Sequence, residues 1–455
     1  MSVNATLSIV IFLATLFLMI RQPKGINLGM AAGLGAVASI LLGTVTVADA
    51  VDAFYDIWDA ALAFVGIVTL SVTLEVMGFF KWTALRVARL ARGDGVRLYF
   101  YVGLLAAAVS ILFANDSAVL ILTPIVLEMV KQLNIDEHGR MAYLFAAGLI
   151  ADTAAMPLIT SNPVNIVSAD YFGYTFIEHL VFMGPVAVAT IALSMLVVYL
   201  FFRDRIPRSF SPSLIDTLIV DGAVITPVQL RLSVATLVAV DILYVVSSLN
   251  RVPVSFVICG GALLLLIIYL WTDRRRFALK EERRGLPYIA RRINWDILAF
   301  MLGIFLVVQG LRHAGAVTLF SGLFAWCLGL PGLLKVLAPS LIVTVSASAM
   351  NNWPMTMLGL LSVEDAMATL GLNAAESTTL IFSNIIGNNL GPHFFPIGSL
   401  AILMWLNTMK AKGLVISLRD YLRVGSVLSI LEVVTASAIL WAEVELLGFA
   451  LALAP

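Results

Sequence analysis

Apolar residues fill this chain in runs of about 20, a length that carries an α-helix across a hydrocarbon layer of roughly 30 Å. Uninterrupted runs fall at 3–20, 27–47, 60–80, 180–202, 230–249, 252–271, 294–312 and 420–446. Each predicts a simple spanning helix, because a helix satisfies its own backbone polar groups and lipid offers them no partner. Four other stretches break the pattern. Residues 141–175 and 376–407 are long enough to cross but are interrupted, which predicts broken helices. Residues 97–133 and 333–364 read apolar, polar tip, apolar, which predicts re-entrant hairpins that enter and leave on one side.

The order of these elements repeats. Each half offers three helices, a helix along the interface (82–93 and 316–329), a hairpin, a broken helix and a last helix. The expected fold is therefore an all-α integral membrane protein with about ten transmembrane helices and two re-entrant hairpins. Residues 1–202 form the first repeat, 203–229 a cytoplasmic linker with three prolines, and 230–455 the second repeat. The first half starts outside and the second inside, so the repeats are inverted, an architecture that places substrate sites near the midplane where discontinuous helices meet. The hairpins and broken helices are expected to form a transport subdomain moving against a scaffold of the remaining helices.

Composition and charge support this threading. The chain is 61% hydrophobic and 12% charged, well below the roughly 25% charged composition of soluble domains. Cytoplasmic loops near helix ends collect Lys and Arg. The proposed topology puts 25 of the 28 basic residues inside, leaving Arg251, Arg312 and Lys335 outside. The loop assigned to 49–59, outside, carries Asp49, Asp52, Asp56 and Asp59 and no basic residue. The first run has no basic residue before it and Arg21 and Lys24 after it, the reverse of a secretory signal, so it is read as a retained helix. The basic loop 273–292 reads as a topology determinant, with docking of a cytosolic partner as the other reading. Cys259 and Cys327 are read as packing residues, and the absence of a GxxxxGK[ST] loop or an HExxH motif argues against ATP hydrolysis or catalytic zinc.

The chemistry concentrates at the interruptions. The first hairpin tip, FANDSAVLILTPIV, puts Asn115, Asp116 and Ser117 between two apolar arms. A helix cap is one reading of Asp116. A functional role is the other, since an Asp near the bilayer centre costs roughly 2.5–3.5 kcal/mol where Ser or Asn caps as well. The first broken helix has Pro157 and Pro163 at its gap with Ser161, Asn162 and Asn165, and Asp152 two to three turns before it. Asp152 reads as a proton site or as a buried hydrogen-bonded residue. Glu75 and Asp241, also inside spans, are read as interhelical hydrogen-bonding residues.

In the second half the hairpin tip SAMNNWPMTML holds Asn351 and Asn352, and the broken helix FSNIIGNNLGPHFFPIGSLA holds Asn388, Asn389 and His393. Asn388 and Asn389 are read as the counterparts of Asn162, the difference in spacing being absorbed by a shorter descending hairpin arm. Gly387 and Gly391 are expected to permit close backbone approach. No Arg or Lys lies in any tip, so these amides suit a small neutral polyhydroxyl solute better than an anion. A cation held by Asp116 and carbonyls is the other option. His393 is read as a proton site or as a simply hydrogen-bonded residue.

The segments ANDSAVLILTPIVLEM, ADTAAMPLITSNPVNIVSADYF and LGPHFFPIGSLAILMWL resemble the ArsB-type arsenite efflux transporters of the ion transporter superfamily. The resemblance implies export of arsenite and antimonite as neutral trihydroxides across the bacterial inner (cytoplasmic) membrane by a proton-coupled antiporter. In some members a separate cytosolic arsenite-stimulated ATPase assists. The family's motif positions fall on Asn115, Asp116, Thr123, Pro124, Ser161, Asn162, Asn165 and the Gly391–Ser399 turn. This chain departs from the pattern: relatives commonly carry an acidic residue where Asn389 stands and Lys where His393 stands. An ion pair is thereby expected to become a neutral pair, moving proton coupling onto Asp116 and Asp152. Two cysteines cannot form a three-thiolate trap, which suits a carrier that must release a thiophilic metalloid.

The expected substrate ligands are thus Asn115, Ser117, Ser161, Asn162, Asn165, Asn351, Asn352, Asn388 and Asn389, and the expected proton-coupling residues are Asp116, Asp152 and His393. Lipid, metalloid and protons are the expected partners; no cofactor, resident metal, enzymatic activity or nucleic acid is expected. The alternative is a sodium- or proton-coupled organic-anion or cation antiporter of the same superfamily. A passive channel, or a membrane subunit docking a partner through 273–292, is the rival of a different class.

Overall fold

The computed structural model describes residues 3–23, 25–211, 213–216, 225–250, 252–273, 285–293 and 295–452. Among them there is no β-strand, only one isolated bridge between Asp94 and Ser209. The first half contains α1 (Val3–Arg21), α2 (Leu28–Leu41), α3 (Val47–Met77), α4 (Phe79–Ala91), α5 (Gly95–Phe113), α6 (Asn115–Gln132), α7 (Glu137–Phe145), α8 (Pro163–Phe172) and α9 (Phe176–Phe202). The second contains α10 (Pro227–Leu249), α11 (Val254–Thr272), α12 (Trp295–His313), α13 (Ala316–Leu328), α14 (Leu334–Met350), α15 (Asn352–Leu370), α16 (Ala374–Leu390), α17 (Leu400–Ala411) and α18 (Leu418–Trp441). Eight helical segments are long and apolar enough to cross a membrane. They include seven of the simple spans expected above and the ascending arm α5; α2, at 14 residues, is shorter than expected.

The two hairpins form as predicted, α5–α6 and α14–α15, each turning on a single residue. Ala114 (φ 64°, ψ 148°) and Asn351 (φ 79°, ψ 151°) adopt nearly the same left-handed extended conformation, one that side-chain-bearing residues rarely occupy. Other special positions fall in the same register. Gly78 and Gly315 end the third helix of each half, Asn134 and Gly371 follow the hairpins, and 3₁₀ turns occur at Ile159–Ser161 and Pro396–Gly398. Each pair is separated by 237 residues, as 351 minus 114 gives for the tips. This corrects the alignment made on sequence. The hairpin arms are matched in length, Asn389 stands opposite Asp152, and Ser399 stands opposite Asn162.

A second correction concerns 49–59, expected as a loop. It is the first part of α3, started by a capping box in which Thr46 Oγ1 accepts from Asp49 N–H and Asp49 accepts from Thr46 N–H at 2.7 Å. Its four aspartates lie three, four and three residues apart, the spacing of one helix face. The basic loop partly escapes description, since 274–284 lie outside the described residues, as do Lys24 and Arg251.

Packing separates two groups of helices. On one side α1, α2 and α12 pack together, and α3 packs on α11, which packs on α10. Close approach needs glycine here: a Cβ on Gly303 would lie 2.6 Å from the Ala32 carbonyl carbon. On the other side are the hairpins, the broken helices, α9 and α18. The second parts of the broken helices cross over, α8 packing on α15 and α16 and α17 packing on α6. The last helices, expected within the scaffold, pack on each other and on the broken helices instead. As expected, Gly387 and Gly391 admit α14: a Cβ on Gly391 would lie 2.7 Å from Thr344 Cα.

Candidate functional site

The first broken helix is interrupted twice. After α7 the chain makes a π-helical turn at Ala146–Ile150, then one helical turn at Ala151–Thr153, before the backbone opens. π turns shift the helical phase by an extra residue, and this one precedes Asp152. Beyond the opening, Asn162 caps α8 by accepting from Val164 N–H at 3.1 Å, with Pro163 in the first helical turn where its missing N–H costs nothing. The second break follows the same plan, with Ser399 capping α17 at Ile402 N–H.

Two buried polar networks occupy the space between the breaks. In the first, His393 lies between two carboxylates, with Nδ1 2.7 Å from Glu432 Oε2 and Nε2 3.2 Å from Asp152 Oδ2, the latter without hydrogen-bond alignment. All three side chains are at most 2% exposed. Glu432 Oε1 accepts from Thr153 Oγ1 at 2.6 Å and from Ser194 Oγ. Asp152 Oδ1 accepts from Asn115 Nδ2 at 2.7 Å and, at 3.4 Å, from Ser399 Oγ. In the second network, Asn162 Nδ2 donates to Asn389 Oδ1 at 2.9 Å, and Asn389 Nδ2 donates to Asn165 Oδ1 at 3.0 Å. Asn165 then donates to the break carbonyls of Ala155 and Leu158. His179 holds a third break carbonyl, that of Met156, at 2.8 Å.

The sequence-predicted residues thus divide. Asn115, Asp152, Asn162, Asn165, Asn389 and His393 are drawn together. Asn351 donates to Ile397 O at 3.0 Å and so ties its hairpin tip to the facing break. Ser161 donates to Ile111 O and is engaged in structure. Asn388 turns to Asn384, with Nδ2 2.9 Å from Asn384 Oδ1; its own Oδ1 and that of Asn352 are buried without a partner. Ser117 is buried, Asp116 is partly exposed, and neither makes a side-chain hydrogen bond among the described residues. Of the two acids read as interhelical, Glu75 takes Arg292 at 2.6 Å, whereas Asp241 has no such partner among the described residues.

The expected neutral pair of Asn389 and His393 does not form. Asn389 sits in the amide bridge, and His393, four residues on beyond a 3₁₀ turn, faces Asp152 and Glu432. Glu432 was missed. Its signal is a lone carboxylate amid the apolar residues of α18, the same signal that drew attention to Glu75 and Asp241.

Cavities lie at the two ends of α9, a helix of 27 residues, or about 40 Å. One, of about 630 Å³, is lined by Asp56, Asp59, Asp170, Arg312 and Glu364 and reaches Ile159 at the break. It lies on the side that the charge pattern assigns to the outside. The other, of about 510 Å³, is lined by Glu137, His138, Arg205 and Arg423. Neither contains a residue of the His393 cluster, which is closed off from both. Among the described residues no group of His, Cys, Asp and Glu side chains is placed to hold a metal ion.

Buried, broken helices meeting around a polar centre between two cavities define a polytopic membrane transporter. The fold matches that of the YdaH transporter of Alcanivorax borkumensis, with a TM-score of 0.56 at 15% identity over 98% of this chain and 99% of that one. The arsenical pump membrane proteins of Escherichia coli K12 and Yersinia enterocolitica are 37% and 36% identical to it, each over 92% of this chain and 94% of their own length. The family model for arsenical pump membrane protein matches residues 7–442, and the chain belongs to that family.

Proposed function

We propose that the protein exports arsenite and antimonite as neutral trihydroxides, exchanging them for protons by alternating access within inverted repeats. Family membership supports an arsenical cargo. One observation carries the finer reading: a charge-free bridge of amides, Asn162–Asn389–Asn165, adjoins a histidine held by two buried carboxylates. Amides offer both donors and acceptors to a trihydroxide without attracting an anion. Asn115, at the tip of the first hairpin, brings a further amide against the cluster by donating to Asp152.

The cluster suits a proton better than sodium. Two carboxylates around one imidazole leave a net negative charge even when the ring is cationic, and uncompensated buried charge is costly. Yet the carboxylate oxygens are already engaged: Asp152 Oδ1 by Asn115, Glu432 Oε1 by Thr153 and Ser194, Glu432 Oε2 by His393. A bound proton needs one such atom, whereas a metal cation needs several oxygen ligands at once. Protonation from outside would discharge the cluster and loosen Asn115, so that metalloid release and proton entry are linked at one residue. The moving unit in this reading comprises the hairpins, broken helices, α9 and α18.

Everted vesicles with an imposed pH gradient provide the test. Asp152→Asn and Glu432→Gln should each cut gradient-driven arsenite uptake about tenfold or more, as loss of one partner of a buried ion pair implies. If both variants keep wild-type rates at equal abundance, the cluster does not carry the proton.

A further inference from the structure

We infer that Asp59 and Asp170 form a second proton-binding site, a carboxyl pair holding one proton between them and joining α3 to α8 on the wall of the outer vestibule. Asp59 is 5% exposed. Its Oδ1 accepts from Ser255 N–H at 3.1 Å, which fixes the carboxyl to the start of α11. Its Oδ2 is buried with no partner, and Asp59 is among the residues lining the 630 Å³ cavity. Asp170, on the α8 helix that packs along α3, lines the same cavity and is open to it. Two carboxylates cannot hydrogen-bond each other, but a carboxylic acid and a carboxylate can, and one shared proton is what such pairs hold.

The other charged and titratable groups around the pair leave that proton as the means of neutralising it. From α3 comes Asp56, from α15 Glu364, from α9 Glu178, from α8 and its following turn Tyr171 and Tyr174, and from α11 the Cys259 thiol. Among the described residues lining the cavity, the cation is Arg312, and it faces Glu364 at 3.8 Å, an acid that also accepts from Tyr171 at 2.5 Å.

The location gives the proton a consequence. α8 is the second part of a broken helix, and α3 and α11 belong to the other packing group. The pair therefore bridges the two groups, and α8 packs along α3, whereas no comparable interface joins their counterparts α17 and α12. When the outside is acidic the pair is closed and holds α8 against α3. When the pair loses its proton, two like charges push the groups apart. This latch rests on the alternating-access reading above, but its proton is separate from the one at His393.

Infrared difference spectra of the purified full chain between about pH 8 and about pH 6, far above the range in which ordinary carboxyls titrate, read the proton directly. The expected result is a protonated-carboxyl C=O band present in wild type and lost in both Asp59→Asn and Asp170→Asn. The carboxyls of the central cluster can add a component of their own, so the comparison is with wild type: unchanged C=O intensity in either variant, or no band in that window, overturns the shared proton. In vesicles, Asp170→Asn supplies an amide donor to Asp59 that needs no proton. At a fixed pH difference, it should flatten the dependence of uptake on outer-side pH by about fivefold, the weight of one hydrogen bond. Unchanged dependence overturns the latch. Loss of uptake in Glu432→Gln with the infrared band intact separates failure at the central cluster from failure here.

Discussion

Asn389 and His393 look in sequence like an ion pair replaced by a neutral pair, yet each has its own partners. Asn389 bonds Asn162 and Asn165, and His393 bonds Glu432 and contacts Asp152. Introducing the acid at 389 and lysine at 393 that the family resemblance leads one to expect should therefore not be self-compensating. In a double-mutant cycle on initial uptake rates, Asn389→Asp and His393→Lys should add to within about 0.5 kcal/mol. Strong mutual rescue would show that the two side chains meet in the working cycle. Asn389→Ala, which removes two donors or acceptors from the amide bridge, should raise the KM for arsenite about tenfold, read from concentration-dependent uptake. Residue types were legible in the sequence here, because Asn and Asp inside apolar runs are costly enough to need a reason. Their pairing was not. Glu432 comes from a helix 279 residues away from Thr153, and a spacing pattern within one break says nothing about a carboxylate arriving from elsewhere.

At the scale of elements, the hairpin tips are the strained parts. Ala114 sits at φ 64° and ψ 148°, a conformation that only glycine adopts freely and that costs about 1–3 kcal/mol for other residues. Ala114→Gly should remove that strain at a smaller entropic cost in the unfolded chain, and so raise the denaturation midpoint in detergent. Asn351→Gly should gain less or lose, because it also forfeits the hydrogen bond to Ile397 O. A lower midpoint for Ala114→Gly would mean the tip is unstrained. Gly391→Val tests packing in the opposite sense. A Cβ there would lie 2.7 Å from Thr344 Cα and 3.1 Å from its carbonyl oxygen, so the second break should be displaced and uptake lost. Hairpins and breaks could be read from apolar runs and their interruptions, as could the helices Phe79–Ala91 and Ala316–Leu328. The helical state of 49–59 could not be read from charge alone, since acidic residues suit a loop and a capped helix face equally. The π turn at Ala146–Ile150 leaves no mark, because all five residues are apolar and buried.

For the molecule as a whole, exchange and passive flux differ in what they do to a gradient. An exchanger should drive arsenite into everted vesicles against its concentration when the interior is acid, and dissipating the pH difference with an ionophore should abolish accumulation at unchanged sodium. A channel would equalise concentrations in both conditions. The family, whose arsenical pump model matches residues 7–442, was legible in the segments around the breaks. The register of the halves was not, because one asparagine resembles another. Only the backbone shows that the hairpin tips Ala114 and Asn351 are counterparts and that Asp152 and Asn389 are.

The amide bridge also bears on leakage. Asparagine side chains hydrogen-bond without giving up protons, unlike hydroxyl, imidazole or carboxyl groups. Asn162, Asn389 and Asn165 satisfy one another across the gap between the breaks with groups that pass no proton. The bridge itself therefore offers no proton relay from one mouth to the other. In the exchange proposed above, proton-motive force would then be spent only on turns of the cycle that carry cargo.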